Sequence, residues 1–109
     1  DAETFCLGSN NTISGIGQKP SNLGQIEGQY MGLLHFSKVG WHECLKYLDS
    51  LTELDRKAMD MTSMLRELIS DGQKIHGVPV HGNWAEIDSE SDLILCNSML
   101  KSGKLQLIV

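Results

Sequence analysis

The stretch formed by residues 84–93 constrains the fold of this chain more than any other. Its first five residues alternate between apolar and polar or aromatic side chains, and this two-residue period is typical of a β-strand. Ser89 and Asp92 follow with the spacing of a helix N-cap, ahead of an apolar run. We therefore predict a strand that turns directly into a helix, with Asp88 at the corner.

A carboxylate at such a corner indicates a cation site. In open α/β sheets, ligands collect beyond the carboxyl ends of the strands, where helix N-termini attract anions. Mg²⁺ is the usual cation between a carboxylate and a phosphate. Asp88 is therefore a candidate metal ligand, and Trp84 is a candidate platform for a ligand. The alternatives are that Asp88 caps the helix and that Trp84 is a half-buried packing residue.

Apolar periodicity along the rest of the chain predicts a mixed α/β fold. Turn residues that tolerate positive φ separate two short alternating segments, which indicates a hairpin. A later near-continuous apolar run is typical of a central strand buried on both faces, and four segments have helical spacing. The predicted strands are residues 4–7, 12–16, 30–36, 74–80 and 84–88, and the predicted helices are about 38–50, 52–57, 61–71 and 89–100.

Composition excludes several classes of partner. The chain has 14 acidic and 9 basic residues, a net charge of −5 and no basic cluster, so we expect no nucleic-acid partner. No apolar run approaches the roughly 18 to 20 residues of a membrane span, so we expect no membrane partner. The 3 cysteines are widely spaced, which favours neither a disulfide framework nor a structural zinc site. We expect reduced thiols in a cytoplasmic protein.

Two further positions are suited to a phosphorylated or polar ligand. Pro20 restricts Lys19 to an extended backbone, and the Lys19 ammonium can then act as a compact charge for a phosphate. The alternative is an exposed loop lysine without a ligand. Glu27 can accept hydrogen bonds from a polar ligand, while Gly28 lets that ligand approach the backbone. The alternative is that these two residues form only a turn.

Several motifs together resemble the sugar nucleotidyltransferase family, and especially its phosphocholine and phosphonate cytidylyltransferase branch. They are Gln18-Lys19-Pro20, the segment at 27–33 and the pattern Trp-x-Glu-Ile-Asp-Ser-x-x-Asp-Leu at 84–93. The resemblance covers roughly residues 5–95 and is to the carboxyl-terminal half of that family. It implies that residues 1–109 are the acceptor- and metal-binding half of a Rossmann-like nucleotidyltransferase domain, with a three-layer α/β fold and a mixed sheet. The chain lacks an initiating Met, and we expect it to be a piece of a longer protein.

The resemblance also implies an activity and its site residues. The family transfers a nucleotidyl group, here with CMP as the candidate, from a nucleoside triphosphate to a phosphorylated small molecule and releases pyrophosphate. Expected acceptors are a sugar 1-phosphate, phosphocholine or aminoethylphosphonate. A homodimer is one possible assembly of the protein. Asp88 matches the second Mg²⁺-binding aspartate, Lys19 matches the lysine that contacts the acceptor phosphate, and Tyr30 and Gly32 match the strand lining the acceptor pocket.

The chain departs from the family's pattern, and other interpretations of the sequence remain open. The family's Gly-rich loop and its first metal-binding aspartate have no match in this chain, so the chain alone should lack most of the nucleotide site. Gln18 stands where the family often has an acidic residue, which leaves the choice of acceptor undetermined. The chain can instead be a non-catalytic α/β binding or regulatory module, or a small fold whose carboxylates only cap helices and carry surface charge.

Overall fold

The computed structural model describes residues 4–107, and the chain divides into two units, Asp1–Val78 and Pro79–Val109. Each unit is described by itself. The elements of the first unit are β1 Phe5–Leu7, β2 Ile13–Ile16, α1 Lys38–Ser50, α2 Glu53–Ala58 and α3 Met61–Ser70, and the second unit contains α4 Glu90–Lys101.

Strands β1 and β2 form the predicted hairpin. They pair antiparallel, with Phe5 opposite Ile16, and the register is irregular between Cys6 and Leu7. The connecting loop reverses the chain through two residues with left-handed backbone, Asn10 at φ 55° and its neighbour at φ 58°. Asparagine tolerates this conformation better than most residues, which is why this sequence turns here.

Single-residue bridges extend the hairpin on both sides. Phe5 of β1 bridges Ile26 in the parallel sense, and Thr12, just before β2, bridges His76 in the antiparallel sense. The N–H of Ile13 also donates to the carbonyl of Ile75 at 2.8 Å. The hairpin is thus flanked by two later segments of the same unit, which main-chain hydrogen bonds join to it.

Helix α3 supplies the core of the first unit by burying two faces. Leu65 is 3% exposed and packs with Ile13 and Ile16 of the hairpin. Met64 and Leu68 pack with Cys44 of α1. The i, i+3 and i+4 spacing of these apolar residues is therefore what joins the hairpin to α1.

A side chain caps the start of each helix of the first unit. The hydroxyl of Ser37 accepts the N–H of Gly40 at 3.0 Å at the start of α1. Thr52 caps α2 in the same way, and the carboxylate of Asp60 caps α3. Each cap supplies an acceptor for a main-chain donor that has no partner within its own helix.

Three predicted strands are not strands within residues 4–107: the segments at 30–36, 74–80 and 84–88 have irregular backbone, apart from the bridge at His76. The prediction that 30–36 is buried on both faces is wrong for these residues, since Leu33 is 80% exposed. A strand forms only where a neighbouring segment supplies hydrogen-bond partners, and neither alternation nor an apolar run identifies such neighbours. The three-layer fold with a mixed sheet remains a prediction.

The second unit is built around α4. Cys96 of the helix and Leu105 after it are buried, and the N–H of Leu105 donates to the carbonyl of Met99 at 3.1 Å. The side-chain oxygen of Asn83 accepts the N–H of Gln106 at 2.7 Å, which joins the segment before α4 to the segment after it. None of the helices in residues 4–107 is long and apolar enough to cross a membrane.

Candidate functional site

Lys19 follows directly on a main chain that Thr4 holds in place. The N–H of Thr4 donates to the carbonyl of Gln18 at 2.8 Å, and the carbonyl of Thr4 accepts the N–H of Gly17 at 2.9 Å. The Thr4 hydroxyl oxygen accepts the N–H of Gln18 at 2.9 Å. The residues preceding Lys19 are thus fixed to the start of β1.

The side chain of Lys19 itself is available to a ligand. Lys19 is exposed, whereas the ion pairs in the described part of the chain join Lys46 to Glu43 and Lys57 to Glu53. An exposed side chain without an ion pair is expected both for a loop lysine that has no ligand and for a lysine that binds a phosphate. The exposed position of Lys19 therefore fits both interpretations.

Glu27 has a structural contact that its sequence did not reveal. Oxygen Oε2 of Glu27 accepts the N–H of Leu7 at 3.0 Å, and the N–H of Glu27 donates to the carbonyl of Phe5 at 2.9 Å. The residue therefore pairs with the edge of β1. Gly28 lies so close to the ring of Phe5 that a Cβ would approach its Cδ1 atom to 3.0 Å, which gives Gly28 a packing reason that needs no ligand.

Tyr30 and Gly32 also have structural roles in the first unit. Tyr30 is half-buried against the cluster of Ile13, Ile16 and Leu65, and this burial raises the pKa of its phenol. Gly32 is exposed with φ +82°, a backbone conformation that favours glycine. The strand that was expected to carry both residues is absent from the described structure, so the two are joined only by an irregular segment.

Asp88 does not cap α4, because two of its neighbours do. Ser89 is the N-cap, and its hydroxyl oxygen accepts the N–H of Asp92 at 3.2 Å. The carboxylate of Asp92 reaches back to accept the N–H of Asp88 at 3.1 Å. The hydrogen bond from the main chain of Asp88 lowers the pKa of Asp92, and the side chain of Ser89 lowers it further. The helix N-cap predicted from the Ser89 and Asp92 spacing is confirmed at Ser89.

The carboxylate of Asp88 is left exposed and has no hydrogen-bond partner among residues 4–107. An exposed carboxylate oxygen is a suitable ligand for Mg²⁺, which is commonly held by one or two carboxylates together with water and substrate phosphates. In the same residue range, no group of three or more His, Cys, Asp or Glu side chains is placed to hold a metal ion. The described residues thus supply one exposed carboxylate at this corner and no complete set of metal ligands.

Trp84 is half-buried in the second unit, and the structure keeps both of its interpretations open. The three cysteines are free thiols, as expected, and Cys44 and Cys96 are buried. Sequence reasoning missed the side-chain hydrogen bonds of two residues next to the candidate sites, Thr4 and Asn83. No local sequence signal marks either contact, because the partners, Gln18 for Thr4 and Gln106 for Asn83, are distant in sequence.

Comparison with known proteins adds one relationship. No model of a protein family matches the chain, and no solved structure matches it. The chain is similar to the CTP:phosphoglutamine cytidylyltransferase of Campylobacter jejuni, with 36% identity over 99 residues. The similar region covers 85% of this chain and 39% of that protein, so the chain spans about two fifths of its relative's length. By sequence, the chain has a cytidylyltransferase-like relative that it matches over most of its own length.

Proposed function

We propose that the protein containing this chain transfers a cytidylyl group from CTP to a phosphorylated small molecule and releases pyrophosphate. The observation that carries this proposal is the similarity to a CTP-dependent cytidylyltransferase over 85% of the chain. The relative's name adds phosphoglutamine to the acceptors expected from the sequence, which are phosphocholine, aminoethylphosphonate and sugar 1-phosphates. The non-catalytic binding module is not favoured by this similarity.

We propose that the active protein has a domain larger than this chain. Leu33, in the apolar segment at 30–36, is 80% exposed in the described residues. Apolar segments with no partner strand are expected where a sheet continues into further sequence. Together with the relative's greater length, this supports the proposal that these residues form the carboxyl-terminal half of a three-layer nucleotidyltransferase fold.

In this proposal Lys19 binds the phosphate of the acceptor. Its exposed ammonium, with no carboxylate partner in the described residues, can pair with a phosphate as a point charge. Its role is to bring the acceptor's phosphate oxygen in line with the α-phosphorus of CTP. Positioning of this kind accounts for a large share of catalysis in phosphoryl-group chemistry. No general base is needed, because the attacking phosphate oxygen is already anionic at neutral pH.

Asp88 holds Mg²⁺ in this proposal, together with a carboxylate from the rest of the protein. When bound, such a metal neutralises charge on the phosphates of the nucleotide. The contribution of this chain is a carboxylate that its own helix cap leaves unused, since Ser89 and Asp92 satisfy the start of α4 without it. Trp84, Glu27, Tyr30 and Gly32 are proposed only to shape the surroundings of the substrates.

The test is a transfer assay on the full-length protein. CTP, UTP, ATP and GTP are each combined with phosphoglutamine, phosphocholine, aminoethylphosphonate and hexose 1-phosphates, and pyrophosphate is measured with and without Mg²⁺. The proposal expects pyrophosphate release that requires CTP, Mg²⁺ and one acceptor class. If no combination releases pyrophosphate while the protein still binds CTP or an acceptor, the binding-module alternative replaces the enzyme.

A further inference from the structure

Thr4 is the buried polar residue of the described part of the chain, with 5% of its surface exposed. Its hydroxyl oxygen accepts the N–H of Gln18 at 2.9 Å. Its own N–H donates to the carbonyl of Gln18 at 2.8 Å. A single buried residue thus fixes both main-chain groups of the residue immediately before Lys19.

The other side of Lys19 is restricted as well. Pro20 limits the backbone of the residue before it to extended conformations. Lys19 therefore lies between a hydrogen-bonded neighbour and a proline, and its long side chain retains most of the remaining freedom. A group whose main chain is ordered in advance loses less conformational freedom when it binds a ligand.

Resting on the proposed role of Lys19 in acceptor binding, we infer that Thr4 is a positioning residue for Lys19. The hydroxyl is the part of this arrangement that depends on the side chain, since the other two hydrogen bonds of Thr4 use its main chain. Without the hydroxyl, the N–H of Gln18 loses its acceptor, and the main chain next to Lys19 shifts or loosens to find another. The effect falls on the acceptor and not on CTP.

The experiment compares Thr4→Val with Thr4→Ser and Thr12→Val in the full-length protein. Thr12 lies at the loop end of the same hairpin, and its hydroxyl has no hydrogen-bond partner among residues 4–107, so it is a matched control. Thr4→Val is expected to raise the KM for the acceptor about tenfold or more, because small displacements of a positioning group are costly. The KM for CTP stays unchanged, Thr4→Ser keeps the wild-type acceptor KM, and so does Thr12→Val.

Two further measurements separate this inference from the proposed function. Lys19→Ala should raise the acceptor KM by at least as much as Thr4→Val. If Lys19→Ala does so and Thr4→Val does not, the positioning role is refuted and the transferase proposal stands. If the wild-type protein transfers to no acceptor, both fail.

A measurement on the wild-type protein covers the case in which Thr4→Val does not fold. The NMR order parameter of the Lys19 amide is expected near the rigid-backbone value of about 0.85, whereas a value below about 0.6 indicates a flexible segment and overturns the inference.

Discussion

The main-chain N–H of Asp88 donates to the carboxylate of Asp92 at 3.1 Å, while the carboxylate of Asp88 accepts nothing from the described residues. The two aspartates at the start of α4 therefore have different roles. Asp92 belongs to the helix cap, and Asp88 contributes only its backbone to it. A substitution at Asp88 can consequently test the proposed metal binding separately from folding.

Asp88→Asn in the full-length protein is expected to reduce Mg²⁺-dependent pyrophosphate release by about a hundredfold or more, because a lost metal ligand removes several kcal/mol of charge stabilisation. The free energy of unfolding should not change, since the side chain makes no hydrogen bond in residues 4–107. Glu90→Gln is the control, because Glu90 is also exposed and acidic in the first turn of α4. Equal losses in both variants would contradict a specific role for Asp88.

Ser89→Ala is expected to destabilise the second unit by about 1 kcal/mol, the usual cost of losing an N-cap side chain. The hydroxyl oxygen of Ser89 accepts the N–H of Asp92 at 3.2 Å, and alanine leaves that donor without its acceptor. Urea unfolding followed by circular dichroism measures the change. Ser89→Asp, which can also cap a helix, should retain wild-type stability, and a loss in that variant would argue against capping.

The helices could be predicted from sequence, because their signals are local. Apolar spacing and the caps at Ser37 and Ser89 lie within a few residues of the backbone groups they affect, and the bounds of α1 agree with the prediction. The hairpin was predictable for the same reason, since Asn10 and its neighbour turn the chain. The segments at 30–36 and 84–88 were not, because strand formation depends on partners that are distant in sequence or outside the described residues.

The candidate sites were predictable to a smaller degree. The roles of Lys19 and Asp88 remain predictions, and the structure leaves both side chains without partners in the part of the chain it describes. Sequence reasoning did not find the hydrogen bond from the N–H of Leu7 to the Glu27 carboxylate or the one from the N–H of Gln18 to the Thr4 hydroxyl oxygen. Both contacts span more than ten residues, and no short motif encodes them.

Leu65→Ala is expected to destabilise the first unit by about 2–5 kcal/mol, because it leaves a cavity between α3 and the hairpin. Leu54 provides a control of the same residue type on α2, since it is 78% exposed, and Leu54→Ala should change stability by no more than about 0.5 kcal/mol. Chemical denaturation of both variants measures the difference. Similar losses in the two would contradict the core described for the first unit.

The stability of the first unit should depend on pH through Asp60. The N–H of Ser63, followed by its hydroxyl, holds the pKa of Asp60 below its ordinary value. A carboxyl group with a lowered folded-state pKa stabilises the fold above its unfolded pKa of about 3.9, and this contribution is lost as pH falls through the lower folded value.

Asp60→Asn tests this dependence, because asparagine also caps helices but does not titrate. Urea unfolding between pH 6 and pH 2 should show a shallower loss of stability for Asp60→Asn than for the wild type. Parallel curves for the two proteins would show that the cap at α3 does not carry this pH dependence.

The contact between Gly28 and the ring of Phe5 has a consequence for how this protein can vary. A Cβ at position 28 would press on an aromatic ring that belongs to the hairpin ending near Lys19, and the same glycine lies two residues before Tyr30. In a library of single substitutions, position 28 should therefore tolerate few replacements because of this packing alone. The restriction at position 28 would come from the ring of Phe5, so replacing Phe5 with a smaller residue should allow more substitutions at position 28.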